Sequence, residues 1–166
     1  LSRVLIEESD GDSADYLYAM RSETLIAAAQ MGTIEFHTWG ARTDRLDRPD
    51  RLVFDLDPDE RLVWADVREA AFEVRDTLST LGLDSGAIVT GGKGVHVWLT
   101  LRRTRSWDTI KLFAKTFAYL MAARNPDHYT ATMSKSKRHG RIFIDWLRNE
   151  RGATAIAPYS LRARPG

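Results

Sequence analysis

The chain has 166 residues, 43% hydrophobic and 28% charged, with no cysteine. That is enough for a folded core, and it excludes disulfide frameworks, thiolate metal sites and cysteine nucleophiles. No apolar run approaches the roughly 18 to 20 residues that a membrane helix needs, so the expectation is a soluble, cytoplasmic protein with no membrane partner. The formal net charge of +1 conceals an asymmetry: residues 1–131 hold 16 Lys and Arg against 21 Asp and Glu, whereas residues 132–166 hold 8 against 2. An acidic body with a basic end points to a polyanionic partner.

In chain order, Arg3–Ile6 reads as a β-strand, Ser22–Met31 as a helix stopped by Gly32, and Thr33–His37 as a second strand. Leu52–Asp55 is a further strand that Pro58 ends. Asp66–Leu81 carries Ala71, Val74, Leu78 and Leu81 at helical spacing. Ala87–Thr90 and Val95–Leu99 form a hairpin through Gly91-Gly92-Lys93-Gly94, so the sheet is partly antiparallel. Ser106 is a candidate N-cap for a helix to Ala123 that repeats Ile110, Phe113, Ala114, Phe117 and Met121. Arg141–Asp145 is the last predicted strand. The order is α/β, with no repeat and no linker. The chain starts with Leu and stops after an arginine-rich stretch, and the expectation is one domain over 1–166, the catalytic portion of a longer one, cut at its N-terminus and slightly at its C-terminus.

Asp55 and Asp57 lie at i and i+2 of a strand, so their carboxylates share a face about 6 to 7 Å apart. Like charges that close repel unless a cation lies between them, and hard oxygen donors suit Mg²⁺ or Mn²⁺. A solvated strand end gives the same pattern. Asp145 closes an apolar strand, either as a third ligand or as an acceptor for the following turn. Gly91-Gly92-Lys93-Gly94-Val95-His96 offers backbone N–H groups, a lysine and a histidine to phosphate oxygens, or is a plain glycine hairpin. Thr90 is a phosphate donor or a β-former. Lys135, Lys137, Arg138, His139, Arg141, Arg148, Arg151, Arg162 and Arg164 make up the basic end; the run Lys135–Arg138 reads equally as a solvated face, whereas Arg162 and Arg164 share one face of an extended segment and suit bidentate phosphate binding. His37 ends a short strand and, taken alone, reads as a satisfied structural histidine; His128 and His139 have no evident partner in the sequence.

Five segments carry a resemblance: Glu35–Trp39, Leu52–Pro58, Gly91–Val97, Arg141–Asn149 and Ala157–Arg164. In this order they resemble the polymerase domain of bacterial ligase D, of the archaeo-eukaryotic primase superfamily, which works in non-homologous end joining. The resemblance implies an α/β (α+β) primase-polymerase-like core with a mixed, largely antiparallel sheet flanked by helices. It implies that Asp55, Asp57 and Asp145 hold two metal ions, Mn²⁺ in preference to Mg²⁺. Thr90, Lys93, His96 and Arg162 would contact the triphosphate of a nucleoside triphosphate, and His37 and Arg148 would lie beside the nucleotide. Thr90 stands where the family usually has serine, and Trp146 where tyrosine is common. The implied activity is addition of nucleotides, often ribonucleotides, to a primer 3′ end. The implied partners are gapped or primed DNA ends with a 5′-phosphate, nucleoside triphosphates, Ku and a fused ligase module. Two other readings remain open at the level of sequence: a manganese glycosyltransferase built on the DxD, and a fragment that binds nucleotide or DNA without turnover.

Overall fold

The computed structural model describes residues 2–8 and 11–163, and the chain divides into two compact units, Leu1–Thr38 with Ile156–Gly166, and Trp39–Ala155. In the first unit, strands β1 (Ser2–Glu7) and β2 (Ser13–Tyr18) form an antiparallel hairpin with Ser2 opposite Tyr18 and Glu7 opposite Ser13. Helix α1 (Ser22–Gln30) follows and ends before Gly32, whose φ of +83° is the left-handed conformation that stops a helix.

The expected strand at Thr33–His37 is displaced: the strand β3 covers His37–Trp39 instead. Backbone hydrogen bonds explain the difference. The Phe36 N–H donates to Ser160 Oγ at 2.8 Å and the Phe36 carbonyl accepts from Ala157 N–H at 2.8 Å, so residues 35–36 are held by a loop rather than by a ladder.

The second unit holds a five-stranded sheet in the order β5 (Gly86–Val89), β6 (Val95–Thr100), β4 (Arg51–Pro58), β8 (Ile142–Asp145), β7 (Tyr129–Thr130). All pairings are antiparallel except β7 with β8. Helices α2 (Trp64–Thr80) and α3 (Trp107–Arg124) supply the second layer. A last strand, β9, covers Thr154–Ile156.

Strand alternation decides what each face does. Leu52, Phe54 and Leu56 of β4, Val95, Val97 and Leu99 of β6, and Ile142 and Ile144 of β8 all join the buried core. They meet Val67, Ala70, Ala71, Val74 and Leu78 of α2, and Ile110, Ala114, Phe117, Ala118 and Met121 of α3. Leu81, expected on the apolar stripe of α2, is 54% exposed because the helix has already ended there; Val67 and Ala70 extend the stripe at the other end. Ser106 caps α3 as expected, its side chain accepting from Thr109 N–H. The odd positions of β4 and their neighbours point to the opposite face, which no helix of the unit covers with apolar side chains. That face carries Asp55 and Asp57.

Phe54 is fully buried, with its ring centroid 4.8 Å from that of Phe117. Phe54→Ala is expected to cost about 3–5 kcal/mol, read as a fall in the urea unfolding midpoint; a loss below about 1 kcal/mol would contradict this placement of the core.

Candidate active site

Register brings the acidic residues together. Asp55 on β4 pairs with His96 on β6 and with Asp145 on β8, so three candidate side chains form one row across the sheet, on one face. Asp57 lies two residues further along the same face, opposite Phe143. The sequence suggested the Asp55/Asp57 pair from alternation; the direct juxtaposition of Asp55 with Asp145 comes from the ladder.

Each carboxylate meets a cation from the basic end. Asp55 Oδ2 accepts from Arg148 Nε at 2.9 Å and lies 2.8 Å from Arg148 Nη2, and His96 Nε2 stands 3.4 Å from the same oxygen. Arg148 Nε is also 3.7 Å from Asp145 Oδ2. Asp57 Oδ2 accepts from Arg138 Nη1 at 2.8 Å, while the Arg138 guanidinium lies 4.0 Å over the Phe143 ring and donates to the Met133 carbonyl. Asp145 Oδ1 accepts from Leu147 N–H at 2.9 Å. One oxygen of Asp145 thus serves the following turn as an acceptor, while the other faces Arg148.

The two facing carboxyls are shifted in opposite directions. Burial pushes Asp55 up, but His96 and Arg148 outweigh it and hold the group below its ordinary 3.8. Asp145 stands above the ordinary value: burial is the largest cause and the Asp55 charge adds to it, against the Leu147 N–H and the Arg148 and Arg138 guanidiniums.

The glycine loop fits closely against β4. A Cβ at Gly94 would lie 2.7 Å from the Leu56 carbonyl oxygen and 3.4 Å from Asp55 Oδ1, and Gly91 has a φ of +69°. Thr90 Oγ1 donates to the Gly94 carbonyl at 2.9 Å, closing the hairpin. Lys93 is exposed at the tip, and His96 is buried at 4% exposure in the acidic row.

His37 and Arg162 belong to the other compact unit. There both meet Glu35, a residue the sequence did not single out. His37 Nε2 lies 3.0 Å from Glu35 Oε2, and Arg162 Nε lies 3.6 Å from Oε1, which also accepts from Ala163 N–H at 2.9 Å. The hydrogen bond with His37 is the main reason the Glu35 carboxyl is held below the usual range, with Ala163 N–H next. Arg164 lies outside the described residues. A second missed residue is Asn149, 2% exposed, which hydrogen-bonds both backbone groups of Val53. Its signal in the sequence is its place at the end of the Arg141–Asn149 segment, next to Arg148.

The donor set, three carboxylates on one face with guanidiniums as counter-charges, suits a hard divalent cation. With the side chains turned toward Arg138 and Arg148, no group of three or more His, Asp or Glu among the described residues is gathered as a metal cage. No helix among those residues is long and apolar enough to cross a membrane.

The fold and this row of residues define a primase-polymerase domain. The chain matches the LigD primase-polymerase domain family over residues 1–166 and belongs to it. It is 45% identical over 145 residues to the multifunctional non-homologous end joining protein LigD of Pseudomonas aeruginosa, covering 87% of this chain and 17% of that protein. It is 36% identical over 144 residues to the LigD of Mycolicibacterium smegmatis, covering 86% of this chain and 19% of that one. The chain thus spans less than a fifth of the length of these two curated relatives. The polymerase domain of Mycobacterium tuberculosis ligase D, solved in complex with DNA, superposes with a TM-score of 0.90 at 34% identity, over 99% of this chain and 60% of that one. The fold expected from the resemblance is the fold observed. The family match is to a polymerase domain, not to a glycosyltransferase.

The opposite shifts of the two facing carboxyls have opposite effects on stability. Asp55, depressed in the fold, contributes stability above about 3.8 that is lost as pH falls through its lower folded value. Asp145, raised in the fold, costs stability above its raised value and nothing below about 3.8. At neutral pH, Asp55→Asn should lower the stability read from the urea midpoint by about 1–3 kcal/mol. Asp145→Asn keeps an oxygen for Leu147 N–H and should raise the midpoint. Both differences should shrink as the pH falls below the ordinary 3.8, that of Asp55 only as its lower folded value is passed. An Asp145→Asn variant less stable than the wild type at neutral pH would contradict this electrostatic account.

Proposed function

We propose that the chain is the catalytic part of a nucleotidyltransferase that adds nucleotides to a DNA primer 3′ end during non-homologous end joining. The observation that carries the proposal is the ladder position of Asp145 directly opposite Asp55, with Asp57 on the same face and the glycine-lysine hairpin entering at His96. A DxD alone serves several chemistries. A third carboxylate on the neighbouring strand, beside a phosphate-type loop, favours in-line phosphoryl transfer at paired cations.

In this proposal Asp55, Asp57 and Asp145 hold two divalent ions, Mn²⁺ in preference to Mg²⁺. When bound, such ions lower the pKa of the primer hydroxyl and offset charge on the triphosphate. The chain's own groups do the rest. Lys93, exposed at the hairpin tip, places a point charge on a phosphate oxygen, and the Gly91–Gly94 backbone comes close because no side chain intervenes. Thr90 retains hydroxyl lone pairs while it closes the hairpin. His96, fixed in the acidic row, offers a preorganised donor to the pyrophosphate leaving group. Arg162 and His37, gathered on Glu35, and Arg148, at the acidic row, are the proposed further contacts to the nucleotide.

Sequence choice is left to base pairing, with the protein reading backbone, so DNA binding weakens steeply with salt. A preference for ribonucleotides, a role for Ku, a fused ligase module and a cytoplasmic location also belong to the proposal. They rest on the family resemblance and on the names of the bacterial relatives.

On a gapped, 5′-phosphorylated duplex with Mn²⁺ and ribonucleotides, the chain should extend the primer. Asp55→Ala and Asp145→Ala should each reduce extension to background while keeping the circular dichroism of a folded chain. Near-normal extension by either folded variant would overturn the assignment of that residue.

A further inference from the structure

The eight-residue strand β4 is paired unevenly. Strand β6 accompanies it from Arg51 to Leu56, but the ladder with β8 begins only at Asp55. Val53, two residues earlier on the same face, has no strand partner on the β8 side, and it is buried at 6% exposure. Its backbone N–H and carbonyl would be orphans there.

Asn149 fills that place. Its Oδ1 accepts from Val53 N–H at 2.8 Å and its Nδ2 donates to the Val53 carbonyl at 2.8 Å, the exchange a paired strand residue would make. The second Nδ2 hydrogen goes to the Trp146 carbonyl, also at 2.8 Å. Both donors and the acceptor are used, and this network fixes which way the amide faces. The turn from Asp145 to Asn149 is therefore tied at both ends, by Asp145 Oδ1 on Leu147 N–H and by Asn149 on β4. Arg148 lies inside that tie, with its guanidinium on Asp55 Oδ2.

We propose that Asn149 is a positioning residue: its carboxamide extends the β4–β8 ladder by one step and so sets Arg148 and Asp145 against Asp55. The catalytic part of this inference rests on the polymerase reading; the positional part does not. No other side chain meets the geometry. Aspartate accepts from Val53 N–H but turns its other oxygen toward two carbonyls. Glutamine is one methylene too long for the same reach, and alanine leaves Val53 unpaired.

The test uses the whole chain with Asn149→Ala and the isosteric Asn149→Asp, at temperatures where circular dichroism shows each folded. The first readout is the Arg148 Nε–H resonance in a ¹H–¹⁵N spectrum without metal. In the wild type it should be shifted and slow to exchange, as expected of a hydrogen bond to Asp55. In the variants it should move to the position of a free guanidinium, as it should in an Asp55→Asn control. The second readout is primer extension: kcat should fall by about 10²-fold, the order expected from an ångström of misplacement, and the nucleotide KM should rise with it because Arg148 is a proposed nucleotide contact. If the alanine variant does not fold, the aspartate variant decides. A folded variant that keeps the wild-type Arg148 resonance overturns the positional claim, and one that loses the resonance but keeps kcat overturns the catalytic one. A wild-type chain that extends no primer overturns the polymerase reading and the catalytic claim with it, while the Arg148 resonance still decides the positional claim.

Discussion

Two carboxyl groups facing each other across a β-ladder are a constraint that the surrounding structure must answer. Asp55 and Asp145 lie in register on one face of the sheet, each largely withdrawn from water. Apposed charges there are tolerable only with opposite charge at hand. His96 arrives from one neighbouring strand and Arg148 from the turn beyond the other. The opposite face is closed by α2 and α3 on an apolar layer. Gly94 is bare because a side chain there would strike β4 beside Asp55. The bare glycine of the loop and the arginine of the basic turn both answer the position of Asp55.

The charge asymmetry takes on a different meaning in this light. The basic end is not a free cationic surface. Arg138 is engaged with Asp57, Arg148 with Asp55, Arg151 with Asp47 and Arg162 with Glu35. Much of its charge answers carboxylates in the acidic body. Lys135 and Lys137, in a single 3₁₀ turn, are exposed and remain the part of that end best suited to a nucleic-acid backbone. Divalent ions at the carboxylates would take over the counter-charge role and leave arginines available to phosphates.

Most of the second unit was legible in the sequence because its elements announce themselves locally. Leu52-Val53-Phe54 and Val95–Leu99 alternate or run apolar as strands of a half-covered sheet do. The helices repeat at three and four, and Ser106 sits where a cap belongs. Elements whose stability comes from partners distant in sequence were not legible. The two-residue β7 lies beside β8, β9 has only three residues, and β2 mixes polar and apolar side chains along its length. Residues 35–36 looked like a strand but bond to the loop around Ala157 and Ser160. At the site, Asp55, Asp57, Asp145 and His96 could be named from spacing and motif. That Asp55 lies between His96 and Asp145 is a matter of register, which no local pattern encodes. Glu35 and Asn149 lay inside segments that carried the resemblance, but their roles were not legible because each also bonds a residue far away in the chain, Arg162 in one case and Val53 in the other.

The central claim is that the row of Asp55, Asp57 and Asp145 is where this chain takes up divalent cations. Substoichiometric Mn²⁺ added to the ¹⁵N-labelled chain tests it directly, because the ion broadens the resonances of nuclei near it. The account predicts broadening centred on residues 55–57, 94–96 and 145–148, and its loss in Asp55→Asn. Broadening centred instead on the acidic outer face of α2, around Glu69, Glu73 and Asp76, with the β4–β8 row unaffected, would contradict it.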